Sequence, residues 1–388
     1  MTLNEAADIT KKGLVYFLLF VLLYVFAENF YRAFIFIYAK AFPEPPPPPT
    51  FTYGRIERTE IRTLPIDISN VEFRQELTTP KLPVFPPKVN IYQIESPRVS
   101  VAKEEKFKNT AVILGFNDTA KKISDSRRLW VDLPGARQLE ANVYFEQLNL
   151  ETRKTELEKK VIGGIVPQDD SVIEVSKNFF RNIGLWNEDI QKGEYKVTPA
   201  YIEEGLVKST DIPFRQTLKF VAVFPQKLAY TESSRNAEGE IATNGIYKKI
   251  YSHNPTIPRI NTLIARVGEA NRQSTVVVDA EYTYFKTTPD LAEYPIMNSQ
   301  TAWENLISGK ASLTYIKEEG ADFFAPNASI KDIETIDIRE IELGYYIDNE
   351  LLEYLQPIFI FRGKFTTLDR KVGNVIFYLP ALDPQGTL

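Results

Sequence analysis

The sequence predicts an α+β fold: an N-terminal single transmembrane helix, then mostly antiparallel, curved β-sheets with short flanking helices. Three observations carry this prediction. Residues 14–27 are wholly apolar, strands with alternating apolar residues dominate the remainder, and short amphipathic helices that end at glycine recur between the strands. The 25 Phe and 20 Tyr residues are strand-prone and can supply large cores.

Composition excludes several classes of function. The chain has 388 residues, of which 44% are hydrophobic and 25% charged, as in folded proteins. The net charge of −5 and the absence of a basic stripe argue against nucleic acid as a partner. There is no cysteine, which excludes disulfides, thiolate nucleophiles and Cys-based metal sites, and a lone histidine, His253, cannot build a multi-His site. We predict no cofactor and no metal.

The apolar run at 14–27 is too short to cross a bilayer alone. It rises about 21 Å as a helix, against roughly 30 Å of hydrocarbon, so the helix is predicted to extend over 13–42. Lys11 and Lys12 predict a cytoplasmic tail at 1–12 and an extracytoplasmic body on a single-pass protein of the plasma or inner membrane. A signal peptide cleaved after Ala27 is the alternative, and the apolar run that resumes at Ala33 disfavours it.

Glu28 and Arg32 interrupt this apolar segment. They are four residues apart, so they share one helix face and can neutralise each other. Two interpretations are open. The pair lies in the outer headgroup region, or it lies within the membrane and contacts the helix of a partner protein. In the second case Glu28 and Arg32 are the contact residues.

Proline marks the next two segments. Pro43 and the run at 45–49 cannot continue a helix, and they predict a stiff polyproline stalk at 43–50. Residues 51–100 contain six further prolines and no helical period, which predicts an extended strap with edge-strand character.

Three α+β modules are predicted beyond the strap, at 101–168, 169–295 and 296–388. Each begins near an amphipathic helix that ends at glycine, and the predicted helices are 102–114, 171–183 and 299–308. Alternation predicts strands that include 141–152, 218–224 and 274–285. A shift of apolar parity predicts a β-bulge near Arg339 and Glu340.

Two of these modules resemble a known family. The helix "TAWENLISGKA" (301–311) follows "VVDAEYTYF" and precedes "IELGYY…LQPIFIF" (341–361), and this block resembles YycH/YycI-type extracytoplasmic regulators. The helix "SVIEVSKNFFRNIGL" is similar to the helix of PepSY-like modules. The resemblance covers about 170–362. It implies one membrane helix, an α+β body and action by protein contact on a sensor kinase.

The sequence contains no motif for chemistry. Neither a Walker loop nor a dinucleotide-binding glycine pattern is present. We therefore predict a non-enzymatic protein that acts by protein contact at the cell envelope, through sheet edges or an aromatic groove. Trp303, Tyr345 and Tyr346 are the candidate protein-binding aromatics. The predicted partners are the lipid bilayer and another membrane protein, either a sensor kinase or an envelope complex, or a second copy of the chain, with no nucleic acid and no small-molecule substrate.

Two alternatives remain open. The protein is a structural surface-layer or adhesion component held on the stalk, or it is an envelope hydrolase that uses carboxylates. The hydrolase requires two acids that face one pocket about 5–9 Å apart, and the sequence contains many acidic residues without showing their spacing.

Overall fold

Strands dominate the chain, and the computed structural model contains 44% strand and 21% helix. The predicted α+β class is therefore wrong, and the protein is mostly β. The longest helix of the body has 14 residues, whereas two strands reach 14 residues each and most of the remaining sequence alternates. The structure describes residues 17, 19–32, 34, 51–98, 100–117, 119–161, 167–235, 241–269, 272–348 and 352–387.

The chain divides into two compact units, Met1–Pro49 and Thr50–Leu388. The helices described in the second unit are α1 (Val101–Ile113), α2 (Lys154–Lys160), α3 (Asp169–Asn182), α4 (Glu188–Gln191) and α5 (Ser299–Ile307). Its strands are β1 (Glu72–Gln75), β2 (Lys88–Ile94), β3 (Lys121–Lys122), β4 (Arg127–Asp132), β5 (Arg137–Asn142), β6 (Gln147–Thr152), β7 (Glu194–Glu203), β8 (Leu206–Ser209), β9 (Leu218–Phe224), β10 (Gln226–Arg235), β11 (Ile241–Tyr251), β12 (Ile260–Glu269), β13 (Arg272–Tyr282), β14 (Thr287–Pro295), β15 (Ser312–Glu318), β16 (Ile333–Tyr346), β17 (Tyr354–Thr367) and β18 (Val372–Pro380).

The strands form two curled sheets of nine strands each. The first sheet runs in the order β10-β11-β16-β17-β18-β15, with β1 beside β16 and with β2 joining β17 to β14. The second runs β3-β4-β5-β6-β13-β12-β9-β7-β8. Two pairs, β1 with β16 and β11 with β16, are parallel, and the other ladders are antiparallel. The second sheet thus combines strands from the first two predicted modules.

Strand β9 of the second sheet is covered on both faces. All seven residues of β9 are buried. Phe220 and Phe224 of β9 belong to a core shared with Tyr251 and Tyr378 of the first sheet. On the opposite face, Val221 packs in a cluster with Val172 of α3 and with Ile264. Because both faces of β9 are covered, its sequence is a nearly continuous apolar run.

The predicted helices and their glycine ends are observed. Helix α1 ends before Gly115, α3 before Gly184 and α5 before Gly309, and each of these glycines has a positive φ between 69° and 80°. The side chain of Asn298 caps the N-terminus of α5 by accepting from the backbone N–H of Thr301. The predicted bulge is confirmed, because the register of β16 against β17 shifts between Ile338 and Glu340.

One strand prediction needs correction. The stretch 141–152 is not one strand, because a turn at 143–146 separates β5 from β6.

The proline-dotted strap lies along the first sheet. The backbone N–H of Leu64 donates to the carbonyl of Leu313 in β15 (2.8 Å), and Asn327 Oδ1 accepts from the N–H of Ile316 (3.2 Å). The strap and the loop at Asn327 therefore occupy the outer edge of β15, which would otherwise be the end of the sheet.

The N-terminal segment differs from its prediction. The described residues 17, 19–32 and 34 are helical, but within the described part of the chain no helix combines the length and the apolarity needed to cross a membrane. The predicted transmembrane helix at 13–42 and the single-pass membrane location are therefore wrong. The predicted tail at 1–12 and the stalk at 43–50 lie outside the described residues.

Candidate protein-binding surface

One half of the second sheet, formed by β4, β5 and β6, differs from the rest of that sheet. One face of this open half is buried under α1, where Trp130, Leu139 and Leu150 share a core with Phe107. The opposite face carries partly or fully exposed side chains. We call it the open face and define it by Arg127, Leu129, Val131, Gln138, Glu140, Asn142, Gln147, Asn149 and Glu151.

Polar side chains form rows across the open face because the strands are in register. Glu140 of β5 pairs with Asn149 of β6, which in turn pairs with Glu281 of β13. Asn149 Nδ2 donates to Glu151 Oε1 (3.0 Å), and Gln138 Nε2 donates to Glu151 Oε2 (2.7 Å). The row lies in an open-face cleft of about 560 Å³.

The carboxylates of this cleft are already engaged. Glu140 pairs with Arg127, and Glu281 Oε1 lies 2.8 Å from Nη1 of Arg259. Burial raises the pKa of Glu281, and the Arg259 guanidinium opposes that shift. The hydrolase alternative required two facing acids, and Glu140 and Glu281 share the cleft, but an arginine holds each of them. The alternative stays a prediction, and this pairing weighs against it.

Metal chemistry has no support from the described residues. Within them, no group of three or more His, Asp or Glu side chains is arranged to hold a metal ion.

An apolar stripe borders the polar rows along β4. Leu129 and Val131 alternate along β4 and therefore lie on the same side of the strand, and Leu133, in the turn that follows β4, lines the same cleft as Val131. Val131 is 51% exposed and Leu133 is 79% exposed. Ile123, whose N–H donates to the carbonyl of Arg127 (3.1 Å), extends the stripe across the hairpin. Exposed apolar side chains that adjoin one another are typical of surfaces that bind proteins.

The outer edge of β4 is only partly paired. The two-residue strand β3 pairs with Arg128 and Leu129 and no further. The N–H of Val143 donates to the carbonyl of Ser126, so the backbone groups of the even-numbered residues of β4 point toward β5. Those of Val131 consequently point outward, and among the described residues neither its N–H nor its C=O has a hydrogen-bond partner. We call this position the free edge.

A cleft lies on each side of the free edge. The stripe cleft, about 520 Å³, is lined by residues that include Val131, Leu133, Arg137 and Arg153. The α1 cleft, about 390 Å³, lies on the other side of β4 and is lined by Glu104, Lys108, Thr119, Ala120, Lys122, Arg128 and Trp130. Trp130 is 2% exposed, and its indole Nε1–H has no acceptor within the described structure.

A buried ionic clamp fixes α1 onto the open half. Glu146, in the turn between β5 and β6, lies 2.6 Å from Lys106 Nζ and 3.7 Å from Lys103 Nζ of α1, and 2.8 Å from Lys286 Nζ. Burial alone would raise the pKa of Glu146, but hydrogen bonds from Lys106 and Lys286 outweigh it and lower the pKa to about 2. The carboxylate therefore stays ionised and holds three segments together.

The residues predicted as sites from the sequence lie elsewhere. Glu28 and Arg32 form the expected i,i+4 ion pair, with Glu28 Oε1 2.6 Å from Arg32 Nη2, and both side chains are exposed. Trp303, Tyr345 and Tyr346 are buried in the cores of the second unit, and none of the three rings lies at its surface. A protein-binding role for these five residues stays a prediction.

Sequence reasoning missed Trp130 and Val131. The signal was present in "RRLWVDL" (127–133), where apolar residues fall on both sides of a short strand next to two arginines. A strand with one face in the core needs apolar residues at alternate positions only, so the additional ones indicate a second apolar contact.

Comparison with known proteins gives little further information. No family model matches the chain, and no curated protein matches it. Among solved structures, the chain is similar to an uncharacterized protein from Eubacterium rectale ATCC 33656, with 11% identity and a TM-score of 0.31 over 79% of this chain and 86% of that one. Likeness at this level carries no argument about function.

Proposed function

We propose that this protein acts without catalysis, by contact with other proteins, and that the free edge of β4 takes up an extended segment of a partner as an added strand. In strand addition, main-chain hydrogen bonds provide affinity and the flanking side chains provide selectivity. The observation that carries the proposal is Val131, whose outward N–H and C=O have no partner among the described residues, although its side chain lies in an exposed apolar stripe.

The other features of the open half support this proposal. The stripe cleft and the α1 cleft flank the free edge, so side chains on both faces of an added strand would find a recess. The outer edge of β15, unlike the free edge, is occupied. The strap hydrogen-bonds to Leu313 there, and Asn327 hydrogen-bonds to Ile316. Unpaired strand edges attract other chains unless they are protected in this way.

The kind of partner follows in part from charge. Two copies joined at this edge would bring Lys121, Lys122, Arg127 and Arg128 of one copy against those of the other, and like charges across a strand pair are unfavourable. We therefore favour a different protein over self-association, and over the surface-layer alternative that would require it. The resemblance to YycH/YycI-type regulators favours a signalling protein as the partner.

Three labelled nonapeptides test strand addition. They alternate the β-branched residues Val and Thr with Glu, with Gln or with Lys, and their binding to the full chain is measured by fluorescence anisotropy. At least one peptide should bind. Val131→Pro should weaken that binding at least tenfold, because proline removes the outward N–H and is tolerated in strands mainly at edges. Val131→Thr, which keeps the N–H, should bind as the natural chain does.

A second measurement covers the case in which Val131→Pro fails to fold. N-methylation of alternate residues of the peptide removes its own donors without changing the protein, and it should abolish binding to the natural chain. Binding that survives both N-methylation and Val131→Pro would remove strand addition as the mechanism, as would the failure of all three peptides to bind.

A further inference from the structure

The two sides of the free edge differ in chemistry, and this difference restricts the added strand. Successive side chains of a strand point to opposite faces of its sheet. On one face an added strand would meet the stripe of Leu129, Val131 and Leu133. On the other face it would lie next to Trp130 and the α1 cleft. The side chains on one face of the added strand would therefore contact an apolar surface, and those on the other face would contact the α1 cleft.

The α1 cleft is basic although the protein as a whole is acidic. Three cations, Lys108, Lys122 and Arg128, and one carboxylate, Glu104, line it, whereas the whole chain has a net charge of −5. Glu104 pairs with Arg128, and Asp125 lies 2.7 Å from Lys122 Nζ. Among the described residues, exposed Lys108 has no ion pair, so one cation of the cleft remains available to a ligand.

A second, independent feature of the cleft is an unsatisfied donor. The indole Nε1–H of Trp130 is buried and has no acceptor within the described residues. Tryptophan has only this donor, and buried Trp N–H groups usually find a partner. A ligand that placed an acceptor here would satisfy a group that the protein leaves unpaired.

From these features, and resting on the proposed function, we infer that the partner segment is acidic: its side chains alternate between apolar residues against the stripe and Glu or Asp residues that enter the α1 cleft. A carboxylate in the cleft would accept from Trp130 Nε1–H and lie near the ammonium of Lys108. Charge-assisted hydrogen bonds of this kind are stronger than neutral ones. The amide of Gln offers an acceptor without a negative charge. The ammonium of Lys offers neither an acceptor nor a negative charge.

The three peptides described above separate these cases. The Glu peptide should bind at least tenfold more tightly than the Gln peptide, and the Lys peptide should bind most weakly. Non-specific attraction to a protein of charge −5 would produce the opposite order. An order led by the Lys peptide would therefore overturn the inference.

Two substitutions assign the preference to the α1 cleft. Trp130→Phe retains an aromatic ring but removes the N–H, and Lys108→Gln removes the available charge. Each should reduce the preference for Glu over Gln about three- to tenfold. Trp130→Phe should also weaken binding of the Gln peptide, by a smaller factor than for the Glu peptide, because the Gln amide oxygen accepts from the indole N–H without the help of charge. Lys81→Gln, at an exposed lysine outside the cleft lining, is the matched control and should change neither value.

The outcomes distinguish the inference from the function on which it rests. If the Glu and Gln peptides bind equally and Val131→Pro abolishes both, strand addition stands and the acidic partner is refuted. If no peptide binds, or if Val131→Pro and N-methylation both leave the affinity unchanged, both proposals fail. A preference for Glu that persists in both Trp130→Phe and Lys108→Gln would place recognition outside the α1 cleft.

Discussion

Two regions of the second sheet differ in how many of their faces are buried. In the sandwiched half, β9 and residues 260–265 of β12 are buried on both faces, between the first sheet and α3. In the open half, β5 and β6 alternate between buried and accessible residues, with helices against one face and a polar surface on the other. The same sheet therefore provides both a structural centre and a surface available for contact.

The two halves also differ in how they are held in place. Because apolar side chains are buried on both of its faces, the sandwiched half is expected to contribute more folding free energy than the open half. The open half contributes less, because its accessible face is polar and its helix is held partly by the ionic clamp at Glu146. Substitutions on the accessible face are consequently expected to alter contacts with partners before they alter folding.

The largest expected effect belongs to the sandwiched half. Phe224→Ala removes a buried ring that lies 5.8 Å from the ring of Tyr251 across the two sheets. We expect it to lower the free energy of unfolding by about 3–5 kcal/mol, as large-to-small core substitutions do. Urea unfolding followed by far-UV circular dichroism measures this change.

Asn149→Ala is the matched substitution in the open half. Asn149 donates to Glu151 on the accessible face, so we expect a loss below about 1 kcal/mol. Equal losses for Phe224→Ala and Asn149→Ala would contradict the distinction between the two halves.

The two halves also differ in how well sequence predicts them. The strand predicted at 218–224 has the same bounds in the structure, although the alternation that predicts it is typical of one covered face and all seven of its residues are buried. The strand predicted at 141–152 contains a turn that no pattern in the sequence predicts. Glu146 adopts a φ of 56° there, and it is held by Lys106 and Lys286, which are distant in sequence.

The candidate surface was less predictable than the strands. Alternation shows which face of a strand is apolar, but not whether another layer covers its opposite face. Tyr345 and Tyr346 were candidate binding residues, yet the Tyr345 hydroxyl donates to the carbonyl of Asn90 (2.6 Å) inside the core. Val131 is a candidate because β3 is too short to pair with it. Such information depends on long-range packing that no local pattern contains.

A medium effect is expected from the ionic clamp of the open half. Glu146→Gln replaces charged hydrogen bonds to Lys106 and Lys286 with neutral ones, and we expect it to lower the free energy of unfolding by about 2 kcal/mol at neutral pH. Thermal unfolding of the natural chain and of Glu146→Gln across a range of pH measures the difference.

The pH dependence of that difference identifies its source. The pKa of Glu146 is lowered from 4.5 to about 2 in the folded protein. Its contribution is therefore complete above about pH 4.5 and is lost as the pH falls toward 2. A difference between the two chains that stays constant from pH 7 to pH 2.5 would show that the charge of Glu146 does not stabilise the fold.

The smallest effect is expected on the open face itself. Arg127→Gln breaks the pair with Glu140, in which the arginine is about half exposed. Exposed ion pairs contribute roughly 0–1 kcal/mol because water and salt screen them, so urea unfolding should change by less than about 1 kcal/mol, and the change should shrink further in 1 M salt. A loss above about 2 kcal/mol that persisted at high salt would require this pair to be desolvated. The face would then be covered in the free protein and unavailable to a partner, and the contrast between the two halves would disappear.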